Sequence, residues 1–416
     1  IITTNYIYIY IYYLIIISFR RVMMKFSIDR SEFTLGVNTV CKAISSRTTL
    51  PILENLYLAI QNNQIVMRGN DLELGIEYVL PVNIEDQQAP SGVLLKANTL
   101  NDILSKLNSD TVDIDLNELL KCNIKSSAID FDIHGVSIDE YPQFPTIEKN
   151  IQFDIDSSIL LDLIKHTIFS VSYDETKQFL NGIKIECKDN RCDFISTDGF
   201  RLSLKYEQFD KDLPEFSCIV PFKTMNELSK VLTSVKSESV QLFLSERQIS
   251  FKVGASTIIS RLINGRFPDY KQVMPKNTLF EYKISRQLLL SAADRANIIA
   301  SHSNFVAKFN FTETLLTISA SNAKLGDYVE QLGVSRHVGE RDITVSFNIK
   351  LLQEALKIID QQDVVFEINS ELSPCVIKPV GDQTYTHILM PIRMSEFSND
   401  NDVQVNASQE PQPVAS

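Results

Sequence analysis

The hydrophobic positions along the chain follow two periods, alternation over short runs and a spacing of three or four residues over longer ones. Alternation, as in VQLFLSERQISFKV at 240–253, is typical of half-buried β-strands. The spacing of Leu160, Leu163, Ile164 and Ile168 is that of one face of an amphipathic helix. The pattern therefore predicts an α+β protein with antiparallel sheets.

The same order of elements recurs three times. An alternating strand passes into a helix in KFSIDRSEF (25–33), QFDIDSSIL (152–160) and EYKISRQLL (281–289). The same passage occurs midway through each unit, in VLLKANTLNDIL (93–104), CIVPFKTMNELS (218–229) and TVSFNIKLLQEA (344–355). Because internal repeats of this kind indicate duplicated structural units, we predict three similar domains, each with two helices packed on antiparallel sheet.

Proline-containing polar loops separate the three units. They are YPQFPTIEKN at 141–150 and PDYKQVMPKN at 268–277, where turn-forming residues interrupt the periodic segments. The predicted domains are 24–147, 150–274 and 277–396.

Both ends of the chain differ in character from these domains. Residues 1–23 contain the apolar run YIYIYIYYLIII, which is too short to span a bilayer and has no basic stretch before it. We interpret them as a spurious or non-native extension, with a signal anchor as the alternative. Residues 397–416 are polar and lack periodicity, which predicts a flexible tail.

One short segment occupies an equivalent place in each unit: MRGNDLEL (67–74), ISTDGFRL (195–202) and ISASNAKL (318–325). Clusters of Asn, Asp, Gly and Ser at such places predict a turn between two strands. The string TDGFR occurs only in the middle copy, so that copy is the candidate for a role beyond turning the chain.

Charge and the chemistry-bearing residues narrow the function. A net charge of −12 over 416 residues argues against a surface that is basic throughout, but it allows a restricted basic surface. Six cysteines without a CxxC pair predict buried, reduced thiols. Five histidines without metal-ligand spacing, and the lack of a phosphate-binding glycine loop, predict neither a metal site nor a cofactor.

Two helices carry lysines seven residues apart, opposite their apolar faces: Lys223 and Lys230 in one, Lys350 and Lys357 in the other. Each lysine by itself is typical of a solvated helix face. Their recurrence in equivalent helices of an acidic protein favours a shared basic surface for loose, sequence-independent contact with phosphates.

Two other functions remain open at this point. A hydrolase or nuclease using Asp198 and Arg201 would need partnered carboxylates, a metal cluster or a nucleophile with its base, and only scattered acidic residues are present. A structural or adhesion protein built from repeats is disfavoured by the predicted lack of disulfides.

Five strings resemble a known family: LPILENL (50–56), FLNGIKIE (179–186), STDGFRLS (196–203), NGRFPDY (264–270) and HILMPIR (387–393). They are similar to the beta subunits of bacterial DNA polymerase III, the DNA sliding clamps, over Met24 to about Met394. The resemblance implies a ring-shaped homodimer in which the two helices of every domain face the lumen. It implies a non-catalytic, cytoplasmic processivity factor that encircles double-stranded DNA without sequence preference.

The resemblance also implies partners and contact residues. The partners are the replicative polymerase, the clamp loader and repair enzymes, which bind through short apolar peptide motifs, with no membrane involved. For contact with DNA we predict Arg47, Lys177, Lys223, Lys230, Lys350 and Lys357. The implied dimer interface joins Phe131 and Ile133 of one chain to Ile298 and Ile299 of the other.

The family's peptide cleft, carried over motif by motif, predicts fourteen residues here: Leu180, Thr197, Gly199, Phe200, Arg201, Leu202, Pro268, Val273, Asn348, Ile388, Met390, Pro391, Ile392 and Arg393. Apolar members would form an adaptable trough, and the two arginines would supply charged edges. Three residues depart from the family's usual pattern and predict a more apolar secondary part of the groove: Phe200, Gln272 and Leu351.

Overall fold

The computed structural model describes residues 22–45, 48, 50–82, 84–87, 92–148 and 150–393. They form two compact units. The first holds the chain up to Ile164 together with Cys187–Asn190 and Lys211–Asn264, and the second holds Lys165–Glu186, Arg191–Asp210 and the chain from Gly265 onward. The tail predicted from residue 397 lies outside the described residues. So does the predicted extension, except for its last two residues, which begin the first strand.

The described chain contains six α-helices: α1 (Arg30–Cys41), α2 (Ala97–Lys106), α3 (Ser157–Lys165), α4 (Phe222–Ser234), α5 (Arg286–Ala300) and α6 (Ile349–Ile358). Each begins at the residue after a strand, which confirms the repeated passage from strand to helix. Side chains fix two of these starts. Asp29 accepts the N–H of Glu32 at 2.9 Å, and Asn348 accepts the N–H groups of Lys350 and Leu351 at 3.1 and 3.2 Å.

The strands, in chain order, are β1 (Val22–Asp29), β2 (Asn55–Gln61), β3 (Gln64–Asn70), β4 (Leu74–Pro81), β5 (Ile84–Gln87), β6 (Gly92–Lys96), β7 (Thr111–Asn117), β8 (Lys121–Ser126), β9 (Ile129–His134), β10 (Ile151–Asp156), β11 (Gly182–Lys188), β12 (Arg191–Thr197), β13 (Arg201–Gln208), β14 (Phe216–Pro221), β15 (Ser239–Leu244), β16 (Gln248–Val253), β17 (Ser256–Arg261), β18 (Phe280–Ser285), β19 (Val306–Phe311), β20 (Leu315–Asn322), β21 (Gly326–Val338), β22 (Ile343–Asn348), β23 (Asp363–Ile368), β24 (Cys375–Pro379) and β25 (Tyr385–Leu389).

The first unit contains two sheets. One has five strands in the order β5-β1-β7-β8-β9, so that β9 lies at an edge. The other has eight strands in the order β10-β15-β16-β17-β4-β3-β2-β6. Its antiparallel pair β17 and β4, with Ser260 opposite Leu74, joins a strand of the second repeat to a strand of the first.

The second unit is built on one long run of strands in the order β11-β12-β13-β25-β24-β23-β18-β21-β20-β19-β22. The antiparallel pair β13 and β25 places Arg201 opposite Leu389 and Leu202 opposite Ile388. This pair corresponds to β4 and β17 of the first unit, and each unit has a candidate pocket at its pair.

The period of the sequence pattern decides which side chains are buried. In β7 the alternating residues Val112, Ile114 and Leu116 are all buried. Helix α6 buries its apolar stripe in the third-repeat core, where α5 and α6 pack together, and leaves Lys350 and Lys357 exposed. The predicted α+β fold is confirmed.

The cysteines divide into two groups. Cys41, Cys122, Cys218 and Cys375 are free thiols, as the sequence predicted. Burial raises the pKa of Cys41 to about 11, the pKa values of Cys122 and Cys218 to about 12, and the pKa of Cys375 far above its usual value. Cys187 and Cys192 are disulfide-bonded. For these two residues the prediction of reduced thiols is wrong, because the lack of a CxxC spacing does not exclude a disulfide.

Candidate functional site

The loop between β12 and β13 is closed by its own side chains. The Asp198 carboxylate accepts the N–H groups of Phe200 and Arg201 at 2.8 and 2.9 Å. The Thr197 hydroxyl accepts the N–H of Gly199 at 3.1 Å and donates to the carbonyl of Arg201 at 2.6 Å. Gly199 has a φ of 95°, a conformation that favours glycine. TDGFR is therefore a rigid turn, as predicted for the segment.

Arg201 braces this turn from inside. Its guanidinium donates to Asp198 at 3.0 Å, to Glu354 of α6 at 2.5 Å and to the carbonyl of Phe169 at 2.5 Å. Only 6% of the residue is exposed. We expected a charged edge at this position, but the charge is already neutralised by two carboxylates. Arg201 therefore contributes its position in the wall and no free charge.

A pocket of about 170 Å³ lies beside the turn, within the second unit. Nine of the fourteen predicted cleft residues line it: Leu180, Thr197, Gly199, Arg201, Leu202, Pro268, Val273, Ile388 and Met390. Its surface is largely apolar and open on one side, a form that suits the anchoring side chain of a ligand.

Two lining residues, Asp269 and Tyr270, are absent from the predicted set. The Tyr270 hydroxyl donates to Glu186 at 3.1 Å, and the Lys184 ammonium lies 5.4 Å from the ring centroid. Burial, together with the charges of Asp193 and Glu186, raises the pKa of Tyr270 far above its usual value. Both residues directly follow the predicted cleft residue Pro268 in the chain, and this position in the sequence could have identified them.

The other five predicted cleft residues do not line this pocket. Phe200 is 68% exposed, and its carbonyl accepts the N–H of Met390 at 2.9 Å. Asn348 is the N-terminal cap of α6. Of the last three, Pro391 and Ile392 are half-buried and Arg393 is exposed.

A buried polar layer lies behind the floor of the pocket. The Nδ1 atom of His387 is 2.9 Å from the Ser203 hydroxyl, which is 2.8 Å from the Ser170 hydroxyl. The imidazole stacks on Phe169, and its Nε2 has no hydrogen-bond partner among the described residues. Burial, with a smaller effect of Arg201, lowers the pKa of His387 to about 3. The imidazole is therefore neutral at physiological pH.

The predicted DNA-contacting lysines are exposed or partly exposed, but three of them have acidic neighbours. In the first unit Lys223 forms an ion pair with Asp71, and Lys230 lies 2.7 Å from Glu227. In the second unit Lys350 and Lys357 are exposed on α6. Lys177, in a short 3₁₀ segment, lies 3.9 Å from Asp174. The predicted contact Arg47 lies outside the described residues.

The predicted interface residues carry exposed apolar surface. Phe131 is exposed and Ile133 half-buried on β9, the edge strand of the five-stranded sheet. In the second unit Ile298 is 68% exposed at the end of α5, whereas Ile299 packs partly against the core. Val329 on β21 is also exposed. The sequence carries no signal for this exposure, because Val329 lies in an alternating pattern like that of every other strand.

Asp198 and Arg201, the residues of the alternative hydrolytic site, are hydrogen-bonded to each other and within the turn. Both Asp198 oxygens accept hydrogen bonds from the turn or from Arg201. Within the described ranges, no cluster of three or more His, Cys, Asp or Glu residues is arranged to hold a metal ion.

None of the six described helices has the length and apolar content needed to cross a membrane.

Three family models match the chain in order. The N-terminal, central and C-terminal domains of the DNA polymerase III beta subunit match residues 24–145, 154–269 and 271–393. These matches reproduce the threefold repeat and establish three domains of one kind.

Whole proteins match as well. The beta sliding clamp of Staphylococcus epidermidis is 30% identical over 377 residues, which cover 89% of this chain and 100% of that protein. The DNA polymerase sliding clamp of Bacillus subtilis has a solved structure with a TM-score of 0.83 and 28% identity, covering 89% of this chain and 99% of that one. The beta subunit of Thermotoga maritima gives a TM-score of 0.84 at 26% identity, with coverage of 89% and 100%. The chain belongs to the DNA polymerase III beta subunit family, the beta sliding clamps.

Proposed function

We propose that this chain is a DNA sliding clamp, which encircles duplex DNA and tethers the replicative polymerase and other partners to it. The observation that carries the proposal is the match of all three domains, in order, to the beta subunit. A clamp stays on DNA because it encircles the duplex, so it needs no catalytic group. We also propose a cytoplasmic location.

The ring is proposed to form from two chains. The edge strand β9, with exposed Phe131, offers the edge of a sheet together with apolar surface, a combination that favours association. Exposed Ile298 supplies a complementary apolar surface on the other unit. Because the two surfaces differ, two chains related by a twofold axis would form two equal interfaces and close the ring.

DNA contact is proposed to depend on the helix lysines. Lys350 and Lys357 lie one heptad apart on α6, on the face opposite its buried stripe. Lys223 and Lys230 repeat this spacing on α4, where neighbouring carboxylates moderate their charge. Such contacts neutralise phosphates weakly and without reading bases, which suits a protein that must slide.

Partner docking is proposed to occur in the pocket beside the TDGFR turn. Leu202, Ile388 and Met390 supply apolar floor, and the turn itself is held rigid. A preformed pocket of this size accepts one or two anchoring side chains of an extended peptide. Short motifs with leucine and phenylalanine anchors are the ligands that we propose.

The test is retention on DNA of different topology. Protein loaded onto a nicked circular plasmid should co-elute with it, and should be released when a restriction enzyme linearises the circle, because a ring slides off free ends. A simple DNA-binding protein would remain on the linear product, and that result would contradict the proposed function.

Catalysis is tested separately with Asp198→Ala. The variant loses the hydrogen bonds that close the turn, so we expect weaker peptide binding and no change in any trace nuclease activity of the preparation. Nuclease activity that co-purifies with the wild type and disappears in this variant would instead support the hydrolytic alternative.

A further inference from the structure

The first unit contains a second turn built on the same plan as TDGFR. Between β3 and β4, the Asp71 carboxylate accepts the N–H groups of Glu73 and Leu74 at 3.0 and 2.7 Å. The Asn70 side chain accepts the N–H of Leu72 at 2.8 Å, the role that Thr197 has in the other turn. The two turns share their length and these three hydrogen bonds to backbone N–H groups, but their side chains differ.

The neighbouring strands also correspond. On β17, Ser260 faces Leu74, just as Leu389 on β25 faces Arg201. The next residue, Arg261, donates its N–H to the carbonyl of Glu73 at 3.0 Å, whereas Met390 donates to Phe200 at 2.9 Å in the second unit. Arg261 and Glu73 therefore occupy the positions that Met390 and Phe200 hold beside the apolar pocket.

A pocket of about 100 Å³ lies at this place. Its floor includes the buried aliphatic Ile259, and its walls include Gln143 and Gln248. The side-chain amides of both glutamines form no hydrogen bond within the described part of the chain, so they are available to a ligand's peptide groups. The site is a smaller and more polar counterpart of the pocket beside TDGFR.

Backbone strain marks the rim of this pocket. Leu72 has a φ of 77°, a left-handed conformation that is unfavourable for a bulky residue. The equivalent residue, Gly199, adopts its φ of 95° without that cost. Leu72 also lines the pocket and leaves 42% of its surface exposed. A strained, exposed apolar residue at a pocket rim is typical of a functional position.

Two opposite charges flank the opening. Glu73 and Arg261 both line the pocket, and both side chains are exposed. Their backbones are hydrogen-bonded to each other, yet within the described residues neither side chain forms an ion pair. A ligand that carries one basic and one acidic group would satisfy both charges, and an extended polypeptide can present them on either side of a central residue.

We propose that this pocket is a second peptide-docking site. Its ligand is an extended segment with a small aliphatic residue seated against Ile259 and Leu72, a basic residue beside Glu73 and an acidic residue beside Arg261. The ligand class differs from that of the apolar pocket, so one clamp could hold two kinds of partner segment. The proposal does not depend on ring formation or on DNA binding.

The test is a titration of the full chain with two labelled peptides, Gly-Lys-Val-Glu-Gly and its reverse, Gly-Glu-Val-Lys-Gly, followed by fluorescence anisotropy. One of them should bind with a Kd below about 1 mM. Glu73→Lys and Arg261→Glu should each weaken it about fivefold or more, because each replaces an attraction with a repulsion. The double charge reversal should restore binding of the peptide with its two charged residues exchanged.

Controls separate this site from the apolar pocket. Met390→Ala should leave binding of the charged peptide unchanged, and Arg261→Glu should leave binding of a leucine- and phenylalanine-anchored peptide unchanged. Leu72→Gly should raise the midpoint of thermal unfolding, because glycine relieves the backbone strain. The same variant should bind the charged peptide more weakly. The proposal is wrong if neither charged peptide binds at about 1 mM, or if binding is insensitive to both charge reversals.

Discussion

At the scale of single residues, burial determines which side chains keep their ordinary chemistry. His387 has its pKa lowered to about 3 by burial and, secondarily, by the charge of Arg201. Arg201 is itself engaged by two carboxylates and a carbonyl. Neither residue is available to a ligand as a free charge, so both act on the pocket through the shape they maintain.

His387 makes stability depend on pH. Below the usual histidine pKa of 6.5, His387 is protonated in the unfolded chain, whereas in the folded protein it stays neutral down to about pH 3. The free energy of unfolding therefore falls as pH decreases from 6.5 toward 3. Between pH 6.5 and 5 the loss from this group is about 2 kcal/mol. We expect His387→Gln to remove that part of the dependence, as measured by chemical unfolding at pH 5 and 7.5. Equal pH dependence in both proteins would contradict the assignment.

Two substitutions test the apolar pocket residue by residue. Met390→Ala removes apolar floor, and Thr197→Arg fills the pocket with a long charged side chain. Each should reduce the binding free energy of a leucine- and phenylalanine-anchored peptide by about 1–3 kcal/mol, as measured in a fluorescence titration. Leu119→Ala, at an exposed residue outside the pocket, is the matched control. Undiminished binding by both pocket variants would mean that TDGFR is only a turn.

At the scale of elements, one turn serves three different surroundings. In each repeat an Asp or Asn side chain accepts two backbone N–H groups of its own turn: Asp71, Asp198 and Asn322. This local geometry needs only a short polar side chain at the right position. The surrounding side chains then determine the character of the adjacent surface, which is apolar beside the turn of Asp198 and polar beside the turn of Asp71.

The basic helix faces should act together. Neutralising Lys223, Lys230, Lys350 and Lys357 as glutamines should weaken DNA retention and make its salt dependence shallower. The log–log slope should change by up to about 0.9 for each DNA phosphate that the protein no longer neutralises. Neutralising four strand lysines, Lys121, Lys125, Lys283 and Lys378, gives the same change in net charge and is the control. An unchanged slope in the helix variant would place these lysines away from DNA.

At the scale of the whole molecule, the proposed assembly depends on surfaces that a single chain leaves exposed. The first unit exposes Phe131 on an edge strand, and the second exposes Ile298 and Val329. Exposed aliphatic side chains at a helix end and a strand at the edge of a sheet are features that favour association with another chain. They are the features that a closed ring of two chains would cover.

Ile298→Lys should give folded monomers. Each buried aliphatic side chain stabilises an interface by about 1.5–3 kcal/mol, and a buried unpaired charge adds a further penalty. Leu288→Lys, an exposed leucine on another face of α5, is the matched control and should remain dimeric. Analytical ultracentrifugation measures both, and a variant that sediments as a dimer at low micromolar concentration would exclude the proposed interface.

The residue patterns and the family resemblance predicted part of the lining of the candidate pocket. The resemblance led to nine of its lining residues, because the strings FLNG, TDGFRL, PDY and HILMPIR mark the segments that converge there. It did not reveal that Arg201 is sequestered, that Asn348 caps a helix or that Tyr270 lines the wall. Those outcomes depend on partners distant in the chain, such as Glu354 and Glu186.

The sequence by itself determined the elements of this protein. The two periods of its apolar residues specify which segments become strands or helices, and their threefold recurrence specifies three domains, because burial follows local periodicity. Only the tertiary structure decided which charges are free, which cysteines are oxidised and which turn borders an apolar or a polar pocket. These properties arise from contacts between residues far apart in the chain, and a linear pattern carries no record of those distances.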